Sequence, residues 1–413
     1  MTDKKKPAIR FKGFTDDWEQ RKFGDIWKNT SNKNKNLDYN ENDIISVANM
    51  KFKNVQNNTS EDYLKTYNIL KYGDIAFEGN KSKDFSYGRF VLNNIGTGIV
   101  SHVFITFEPI QKIGIDFMRY YINYEGIMKH ILVKSTTKTI MMTTLIVSDI
   151  KKQNLLIPDL YEQEEIGLLL TKIDNSITLH QKELEILKEM KKGLLQKLFP
   201  DGENTVPRIR FAGFTDDWEQ RKLNYLLDSD EGLRRGPFGS ALKKEFFVSD
   251  EEFVVYEQQN AIYDRYTTRY NISKEKFYEL KKFHIKPGDF IMSGAGTIGR
   301  ISLVPSGIKP GVFNQALIRL RINHSITDSM YFLHFLKSEE TQRRLTSRNP
   351  GSAMVNLVPI SELKEWTISV PKKTEQTYIG QLIEKIENSI TLHQRELDIL
   401  KDMKKALLQK MFV

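Results

Sequence analysis

Apolar residues recur at alternating spacings of three and four along two long stretches of the chain, one near its middle and one at its end. The positions of this seam are Leu170, Ile173, Ile177, His180, Leu184 and Leu187 in the first stretch and Ile383, Ile386, Ile390, His393, Leu397 and Leu400 in the second. The pattern is typical of a coiled coil and predicts two long helices, over 159–200 and 372–413. We expect them to pair antiparallel as a spacer roughly 57 Å long. The alternative is that each helix packs only against its own neighbouring segment.

One position of the seam is polar in both helices. His180 and His393 occupy the same place in the two heptad series. Each histidine either makes a polar contact that fixes the register of the helices or is a partly exposed side chain that the seam tolerates.

The segments that precede the two helices, 1–158 and 201–371, carry the short alternating pattern of strands between Gly and Asn turns. In the first segment, residues 74–78 and 99–107 are predicted strands, and residues 115–133 are predicted to be helical. The second segment begins with a linker. The sequence therefore predicts an α+β protein, in which two similar mixed α/β domains are joined by the two long helices.

The chain also repeats itself. Residues 9–22 and 209–222 differ at one position, and 25 of the 37 positions aligned between 164–200 and 377–413 are identical. Shorter matches run through the intervening segments: 71–75 with 286–290, Gly88-Arg89 with Gly299-Arg300, and 148–151 with 361–364. A frame that stays alike around diverged segments indicates a pseudo-two-fold internal repeat, whose two domains recognise different targets.

Composition narrows the class of partner. The 413 residues are 39% apolar and 11% aromatic, which suits two or three folded domains, and the net charge of +9 with a pI of about 9.2 favours a polyanionic partner. The absence of cysteine excludes disulfides and thiolate metal sites, and the seven histidines are scattered, so we expect no metal site. No apolar run approaches the length of a membrane span, and no signal peptide is evident, so we expect a cytoplasmic protein without membrane association.

Two short motifs suggest enzymes, and neither has the context that its chemistry needs. The segment Gly294–Gly299 matches a dinucleotide fingerprint, but residues 300–304 after it are a predicted strand, where a helix N-terminus must face the pyrophosphate. Asn349-Pro350 resembles the start of an adenine methyltransferase motif, but Gly351-Ser352 follows, and neither residue can stack on a flipped base. Since a Walker A motif is absent too, we expect a non-catalytic chain that holds no cofactor itself.

The polar loops carry the groups that suit DNA, because Arg, Lys and Ser hold phosphates while Arg and amide side chains read base edges. The candidates in the second domain are Arg234, Arg235, Phe238, Ser240, Lys243, Gln258, Gln259, Asn260, Arg300, Arg343, Arg344, Arg348, Asn349 and Ser352. The candidates in the first domain are Lys51, Lys53, Asn54, Lys81, Lys83, Arg89, Lys134, Thr136, Thr137 and Lys138. A solvated surface explains any one of these residues, whereas their clustering favours double-stranded DNA.

Taken in order, these motifs make the chain similar to the specificity subunit of type I restriction–modification enzymes, over essentially its whole length. The resemblance rests on Ile9–Phe14 with Trp18-Glu19, their copies at Ile209 and Trp218-Glu219, Gly236–Ala241, Gly296–Arg300, Pro371 with Glu375-Gln376, and the two long helices. The first domain departs from the pattern, since residues 234–243 have no clear counterpart there and residues 79–90 match only loosely.

The resemblance implies two target-recognition domains, within 1–158 and 201–371, each of which reads one half of a bipartite, asymmetric DNA site. It implies that the paired helices set the unspecified spacer between the halves. It also implies two methyltransferase (M) subunits, which methylate adenine N6 with S-adenosylmethionine, and two motor-nuclease (R) subunits, which use ATP and Mg for restriction. On this basis the chain is not an enzyme by itself, and its partners bind those cofactors.

Two other classes of function stay open from the residues. A self-contained methyltransferase or nuclease would bind S-adenosylmethionine or a metal by itself. A coiled-coil scaffold that holds proteins and reads no DNA would keep its function after neutralisation of Arg234 and Arg235, or of Arg343 and Arg344.

Overall fold

The chain folds into two compact units in a computed structural model. Unit 1 comprises Met1–Lys182 with Gln394–Val413, and unit 2 comprises Glu183–His393. The structure describes residues 5–54, 59–138, 142–201, 204–295, 297–346 and 359–412. Each long helix contributes one part to each unit, because the division falls inside both helices. Among the described residues, no helix combines the length and the apolar character needed to cross a membrane.

The helices are α1 (Phe23–Ile26), α2 (Glu61–Leu64), α3 (Ile115–Tyr121), α4 (Glu125–Leu132), α5 (Val147–Ile150), α6 (Leu160–Lys197), α7 (Gln258–Tyr263), α8 (Lys274–Glu279), α9 (Ser329–Lys337), α10 (Glu339–Thr346), α11 (Ile360–Lys364) and α12 (Lys373–Met411). The strands of unit 1 are β1 (Glu19–Lys22), β2 (Trp27–Thr30), β3 (Ile45–Ser46), β4 (Lys51–Phe52), β5 (Asn68–Leu70), β6 (Ile75–Glu78), β7 (Arg89–Leu92), β8 (Gly98–Val100), β9 (Ile105–Pro109), β10 (Thr136–Lys138), β11 (Thr143–Leu145) and β12 (Asn154–Ile157). The strands of unit 2 are β13 (Glu219–Lys222), β14 (Leu233–Arg235), β15 (Phe247–Val248), β16 (Phe253–Tyr256), β17 (Tyr270–Ile272), β18 (Phe290–Ser293), β19 (Ile301–Leu303), β20 (Gly311–Phe313), β21 (Leu317–Leu320) and β22 (Thr367–Val370).

A four-stranded antiparallel sheet with the same strand order lies in each unit. The order is β2-β9-β6-β7 in unit 1 and β14-β21-β18-β19 in unit 2. Gly88 and Gly299, which precede β7 and β19, have positive φ angles of 75° and 76°, a conformation that glycine adopts without steric cost. The weak matches found between the diverged segments therefore mark equivalent turns and strands, and the predicted internal repeat is confirmed.

The second sheets differ between the units. Unit 2 has a four-stranded sheet, β15-β17-β16-β20, in which β16 and β20 are parallel. Unit 1 has two separate strand pairs in that part of the chain, β3-β4 and β5-β8. The divergence of the two segments thus extends from side chains to strand pairing.

The repeated opening motif fastens each unit to the start of a long helix. Arg10 donates two hydrogen bonds of 2.7 Å to the buried carboxylate of Glu162, and Trp18 Nε1 donates a third at 3.1 Å. The same contacts, at 2.8, 2.8 and 3.2 Å, recur in unit 2 between Arg210, Trp218 and Glu375. A buried carboxylate is tolerated only when it is paired and hydrogen-bonded. Each opening motif must bind the same kind of buried glutamate within its own unit, which explains why the two motifs are nearly identical.

The opening motif also reaches the end of the other long helix. The backbone N–H of Ile9 donates to the carbonyl of Lys410 at 3.0 Å in unit 1, and that of Ile209 donates to Lys197 at 3.1 Å in unit 2. These bonds satisfy carbonyls that a helix C-terminus leaves without an internal partner. Each unit therefore contains the start of one long helix and the end of the other.

The predicted seam is confirmed by burial. All twelve seam side chains are buried or half-buried, and the helices begin and end within three residues of the predicted limits. Contacts between α6 and α12 are Lys404–Asp174 (2.6 Å) and His180–Glu396 (3.5 Å) in unit 1, and Lys191–Glu387 (2.6 Å) and His393–Glu183 (3.4 Å) in unit 2. Within each unit, rising numbers on one helix face falling numbers on the other, so the helices are antiparallel. Both histidines contact a glutamate, which favours the polar-contact alternative.

Two predicted elements of the first segment were wrong in extent. The predicted strand 99–107 is two strands in different sheets, β8 and β9, separated by a turn in which Phe104 N–H donates to the Ser101 carbonyl at 3.1 Å. The predicted helix 115–133 is two helices, α3 and α4, because Tyr124 adopts an extended conformation. The predicted strand 74–78 is confirmed as β6.

Candidate nucleic-acid interface

Several candidate residues of unit 2 meet at one end of its antiparallel β14-β21-β18-β19 sheet. Strands β14 and β18 end there, whereas β19 and β21 begin there, since Ser293 pairs with Leu317 and Arg235 pairs with Ile318. We call this end the unit 2 edge; it comprises 234–243, 294–300 and 314–316. The predicted contact residues that are exposed on it are Arg235, Phe238, Ser240, Lys243 and Arg300, and the side chains of Thr297 and Gln315 are exposed there too.

Arg234 at the unit 2 edge is held beside a second, fully buried arginine. Arg234 pairs with Arg319 across β14 and β21. Arg319 donates to the carbonyls of His284 at 2.9 Å and Glu231 at 3.0 Å. Burial lowers the pKa of the Arg319 guanidinium, while the nearby Asp289 opposes this effect. Two like charges directly opposite each other repel, and the Glu231 carboxylate, 3.9 Å from Arg319, offsets part of this repulsion within the unit.

The amide cluster at 258–260 lies on α7, and one of its members does not fit its predicted role. Asn260 is 1% exposed; its side chain accepts from Glu257 N–H at 2.7 Å and donates to the carbonyls of Arg265 and Thr267. The prediction that Asn260 reads a base is therefore wrong, because its buried amide group is already hydrogen-bonded within the unit. Gln258 and Gln259 are half-buried at the start of α7 and stay candidates.

The second basic stretch begins on α10. Gln342 donates to the carbonyl of Gly299 at 3.0 Å, which joins α10 to the unit 2 edge. Arg343 is exposed and paired with Glu340. Arg344 stacks over the ring of Trp366, 4.5 Å from its centroid, and this contact favours a structural role for Arg344. The candidates Arg348, Asn349 and Ser352 lie outside the described residues.

Unit 1 has an equivalent end of its sheet, where β2 and β6 end and β7 and β9 begin. We call it the unit 1 edge; it comprises 31–33, 79–89 and 101–104. Thr143 N–H donates to the carbonyl of Gly79 at 2.8 Å, which joins the β10–β11 hairpin to this edge. Candidates on the edge or hairpin are Lys81, Lys83, Arg89, Thr136, Thr137 and Lys138, and the side chain of Lys138 is not among those described. Lys134 is exposed in the turn between α4 and β10.

Arg89 links the unit 1 edge to the β3–β4 turn. Its Nε donates to Glu78 at 2.7 Å, and its Nη2 donates to the carbonyl of Ala48 at 2.8 Å. The candidates that follow this turn, Lys51, Lys53 and Asn54, are all exposed. Arg89 thus fixes the position of a loop whose lysines remain available to solvent.

The structure adds one residue to the unit 1 edge that the sequence pattern did not single out. Val103 is 66% exposed in the turn before β9. It was missed because the alternation of residues 99–107 was assigned to a single strand. A small apolar side chain at such an edge can contact a thymine methyl group.

The glycine-rich segment of unit 2 is a hairpin connection. Gly299 N–H donates to the carbonyl of Ser293 at 2.9 Å, and strand β19 follows directly, as predicted. A dinucleotide needs a helix N-terminus at this position, so the segment does not fit that cofactor. Gly296 lies outside the described residues.

A protein-family model described as the type I restriction modification DNA specificity domain matches the chain twice, over residues 15–189 and 216–402. The type I restriction enzyme MjaVIII specificity subunit of Methanocaldococcus jannaschii is 22% identical to the chain over 410 residues, which cover 95% of this chain and 91% of that protein. The two matched regions correspond to the two copies of the internal repeat.

Solved structures share the fold. The crystal structure of the type I restriction–modification S subunit from M. genitalium superposes with a TM-score of 0.55 at 15% identity, covering 99% of both chains. The crystal structure of the HsdS subunit from Thermoanaerobacter tengcongensis gives a TM-score of 0.52 at 15% identity, covering 96% of both chains. At this identity the likeness concerns the fold alone, and it agrees with the predicted α+β architecture of two similar domains with long helices.

Proposed function

We propose how this protein recognises DNA from one premise: the chain belongs to the type I restriction–modification DNA specificity family, and it is a specificity subunit. In this proposal, each unit binds double-stranded DNA through its edge. The unit 1 edge reads one half of a bipartite, asymmetric site, and the unit 2 edge reads the other half.

The observation that carries the proposal is that equivalent strand ends present different polar groups. The unit 2 edge presents guanidinium groups, a lysine and a serine, while the unit 1 edge presents lysines and serines, and the β10–β11 hairpin joined to it adds threonines. Lysine and arginine bound to phosphates give salt-dependent affinity. Arginine paired with guanine, or glutamine with adenine, discriminates by about 1–3 kcal/mol for each good contact. Two units that share a sheet but present different polar groups at the same end of it can bind two different half-sites.

The long helices suit two further roles. We propose that their length sets the unspecified spacer, and that they dock two M subunits. Both helices carry the same exposed apolar side chains at spacings of seven and four: Leu179, Ile186 and Met190 on α6, and Leu392, Ile399 and Met403 on α12. Exposed apolar side chains repeated in this way suit two copies of one partner.

The chemistry belongs to the partners in this proposal. M subunits with S-adenosylmethionine methylate adenine N6, and two R subunits with ATP and Mg carry out restriction, while this chain binds none of these cofactors. The site of action is the cytoplasm, where the DNA substrate lies. Titration of the isolated chain with S-adenosylmethionine is expected to show no binding, and binding would support the alternative of a self-contained enzyme.

The deciding experiment is a genome-wide map of adenine methylation in cells that express this chain with a compatible M subunit, compared with the M subunit alone. A new bipartite motif is expected. Exchange of residues 18–158 for another first domain should change one half-site only, and insertion of one heptad into both long helices should change only the spacer. Assembly of the complex without a new motif would favour a scaffold that reads no DNA.

A charge test separates DNA contact from general surface charge. Arg235→Gln and Lys243→Gln should each reduce the slope of log affinity against log salt by about 1, because each removes one phosphate contact. Lys286→Gln is the matched control, since Lys286 is exposed at the opposite end of the same sheet. An equal effect of all three variants would contradict a localised edge.

A further inference from the structure

Phe238 is 90% exposed, more than any other large apolar side chain that the structure describes. Isolated exposed apolar residues are common, but an aromatic ring left almost wholly in water is unfavourable unless a partner covers it. The ring lies on the unit 2 edge, between β14 and a short 3-10 turn at Gly239–Leu242.

The backbone that leads into Phe238 is fixed by close packing. Gly236 N–H donates to the carbonyl of Leu317 at 3.0 Å, and a Cβ at Gly236 would lie 1.9 Å from the carbonyl oxygen of Asn314. A Cβ at Gly239 would lie 2.6 Å from the side-chain oxygen of Gln315. At Gly236 the close neighbour is backbone, so only glycine allows the approach and the path of the chain out of β14 is fixed. At Gly239 the neighbour is the end of the exposed Gln315 side chain, which can move.

The surroundings of the ring suit a polyanion better than an apolar protein surface. Arg235, Ser240, Lys243 and Arg300 are exposed on the same edge. Lys243 lies 3.5 Å from Glu245, an exposed pair that is worth little in water and that a phosphate can displace. An aromatic ring flanked by cations matches the base stack of DNA between its two phosphate backbones.

We propose that Phe238 inserts as a wedge between two adjacent base pairs in the half-site that unit 2 reads. The inference rests on the proposed function of the unit 2 edge. The flanking cations hold the phosphates on either side while the ring fills the opened step. Pyrimidine–purine steps unstack most easily, so the wedge favours such a step at one position of the half-site, without a hydrogen bond to a base.

The wedge belongs to one half-site only. At the equivalent place in unit 1, β2 ends at Thr30 and is followed by Ser31, Asn32 and Lys33. None of these residues is aromatic, and the aromatic side chains elsewhere on the unit 1 edge, those of Phe85, Tyr87 and Phe104, are half-buried and not exposed as Phe238 is. The half-site read by unit 1 therefore serves as an internal control on the same DNA molecule.

The test uses the full chain assembled with M subunits on a duplex that carries the mapped motif. The fluorescent base 2-aminopurine is placed at each position of both half-sites in turn. The M subunits flip out the adenines that they methylate, so those positions are left out of the comparison. At all other positions, the wild-type complex is expected to raise the fluorescence at one step in the unit 2 half and nowhere in the other half. Phe238→Ala should abolish this signal and weaken specific binding about tenfold or more, while Phe238→Trp retains both.

Three comparisons make the outcome decisive. The salt dependence of binding should be the same for Phe238→Ala and wild type, because no charge changes. Tyr72→Ala, an exposed aromatic at the opposite end of the unit 1 sheet, should alter neither fluorescence nor affinity. The assembly of Phe238→Ala with M subunits should be unimpaired.

Failure of the wedge and failure of the proposed function give different results. A bipartite motif with equal fluorescence for wild type and Phe238→Ala would overturn the wedge alone. Impaired assembly with M subunits and unchanged DNA affinity would also overturn it, and would make Phe238 a protein contact. If the methylation map shows no motif at all, the proposed function falls and the wedge falls with it.

Discussion

The two units bury a carboxylate at the same turn and surround it differently. In unit 2, Arg321 donates to both oxygens of Asp289, at 2.6 and 2.8 Å. In unit 1, the strand registers place Glu108 at the position of Arg321, next to Asp74. Burial first, and then the Glu108 carboxylate, raise the pKa of Asp74 to about 6, although a hydrogen bond from the Lys71 N–H opposes them. Burial raises the pKa of Asp289 to about 6 as well, so both turns hold a desolvated carboxylate. They differ in the group that faces it, which is the Arg321 guanidinium in unit 2 and the Glu108 carboxylate in unit 1.

A second equivalent position shows the same contrast on the helices. In unit 1, Tyr120 donates to Asp174 at 2.7 Å, and Lys404 pairs with Asp174. In unit 2, His334 takes the place of Tyr120; it is fully buried and lies 3.7 Å from Glu387, which pairs with Lys191 at 2.6 Å. Backbone geometry and the opening motif define the common frame, whereas buried ionisable groups give each unit its own response to pH.

The largest expected loss of stability follows from removal of the buried glutamate that anchors the opening motif in both units. Glu162→Ala leaves a guanidinium and an indole N–H without their acceptor, and should lower the free energy of unfolding of unit 1 by about 3–5 kcal/mol. Glu375→Ala should do the same in unit 2. Hydrogen exchange read by mass spectrometry separates the two units. Glu162→Gln, which keeps an acceptor for Trp18, should cost less. If the two alanine variants differed strongly, the opening motifs would not be equivalent.

The next largest loss of stability is expected from removal of Arg321, the buried cation that unit 1 lacks at the equivalent position. Arg321→Met leaves Asp289 buried without its partner and should destabilise unit 2 by about 2–4 kcal/mol. The cost is below that of the first prediction because Asp289 keeps its hydrogen bond from Lys286 N–H, at 2.9 Å. Adding Asp289→Asn to Arg321→Met should recover part of the loss in urea unfolding. The absence of any recovery would mean that Arg321 acts through packing or through its ion pair with Glu231, and not through Asp289.

The sequence predicted the elements that depend on periodicity and missed those that depend on partners. The heptad seam placed both long helices within three residues of their limits, because one apolar stripe determines a helix over many turns. The alternation of residues 99–107 continued through a polar turn, so it could not show where β8 ends. Asn260 has the residue type of a base reader, but its amide donates to the carbonyls of Arg265 and Thr267 in the loop that follows α7, and the conformation of that loop leaves no periodic pattern in the sequence. The repeat exposed Arg10 and Trp18 without showing Glu162 as their common partner.

His334 should make unit 2 sensitive to acid. Burial lowers the pKa of His334 to about 4, with Glu387 opposing and Lys337 and Lys191 reinforcing this shift. The pKa in the unfolded chain is about 6.5. Stability is therefore fully present above about pH 6.5 and is lost as the pH falls towards 4. Unit 2 should lose about 2–3 kcal/mol over this window, and His334→Leu should remove most of that loss. An unchanged pH profile of the variant would exclude His334 as the titrating group.

Asp74 should give unit 1 a smaller response of opposite sign. Its folded pKa of about 6 lies above the value near 3.9 expected when unfolded, so its contribution is favourable below pH 3.9 and is lost as the pH rises through 6. Asp74→Asn removes the buried charge and keeps an acceptor for Lys71 N–H. It should stabilise unit 1 by about 1–2 kcal/mol at pH 8, less than the shift alone implies because the new amide donors are buried, and by almost nothing at pH 4. Glu108→Gln, which removes the neighbouring charge but not the burial, should give part of the same gain in urea unfolding at pH 8. If Asp74→Asn were destabilising at both pH values, Asp74 would be ionised and paired as Asp289 is, and the contrast between the units would lie elsewhere.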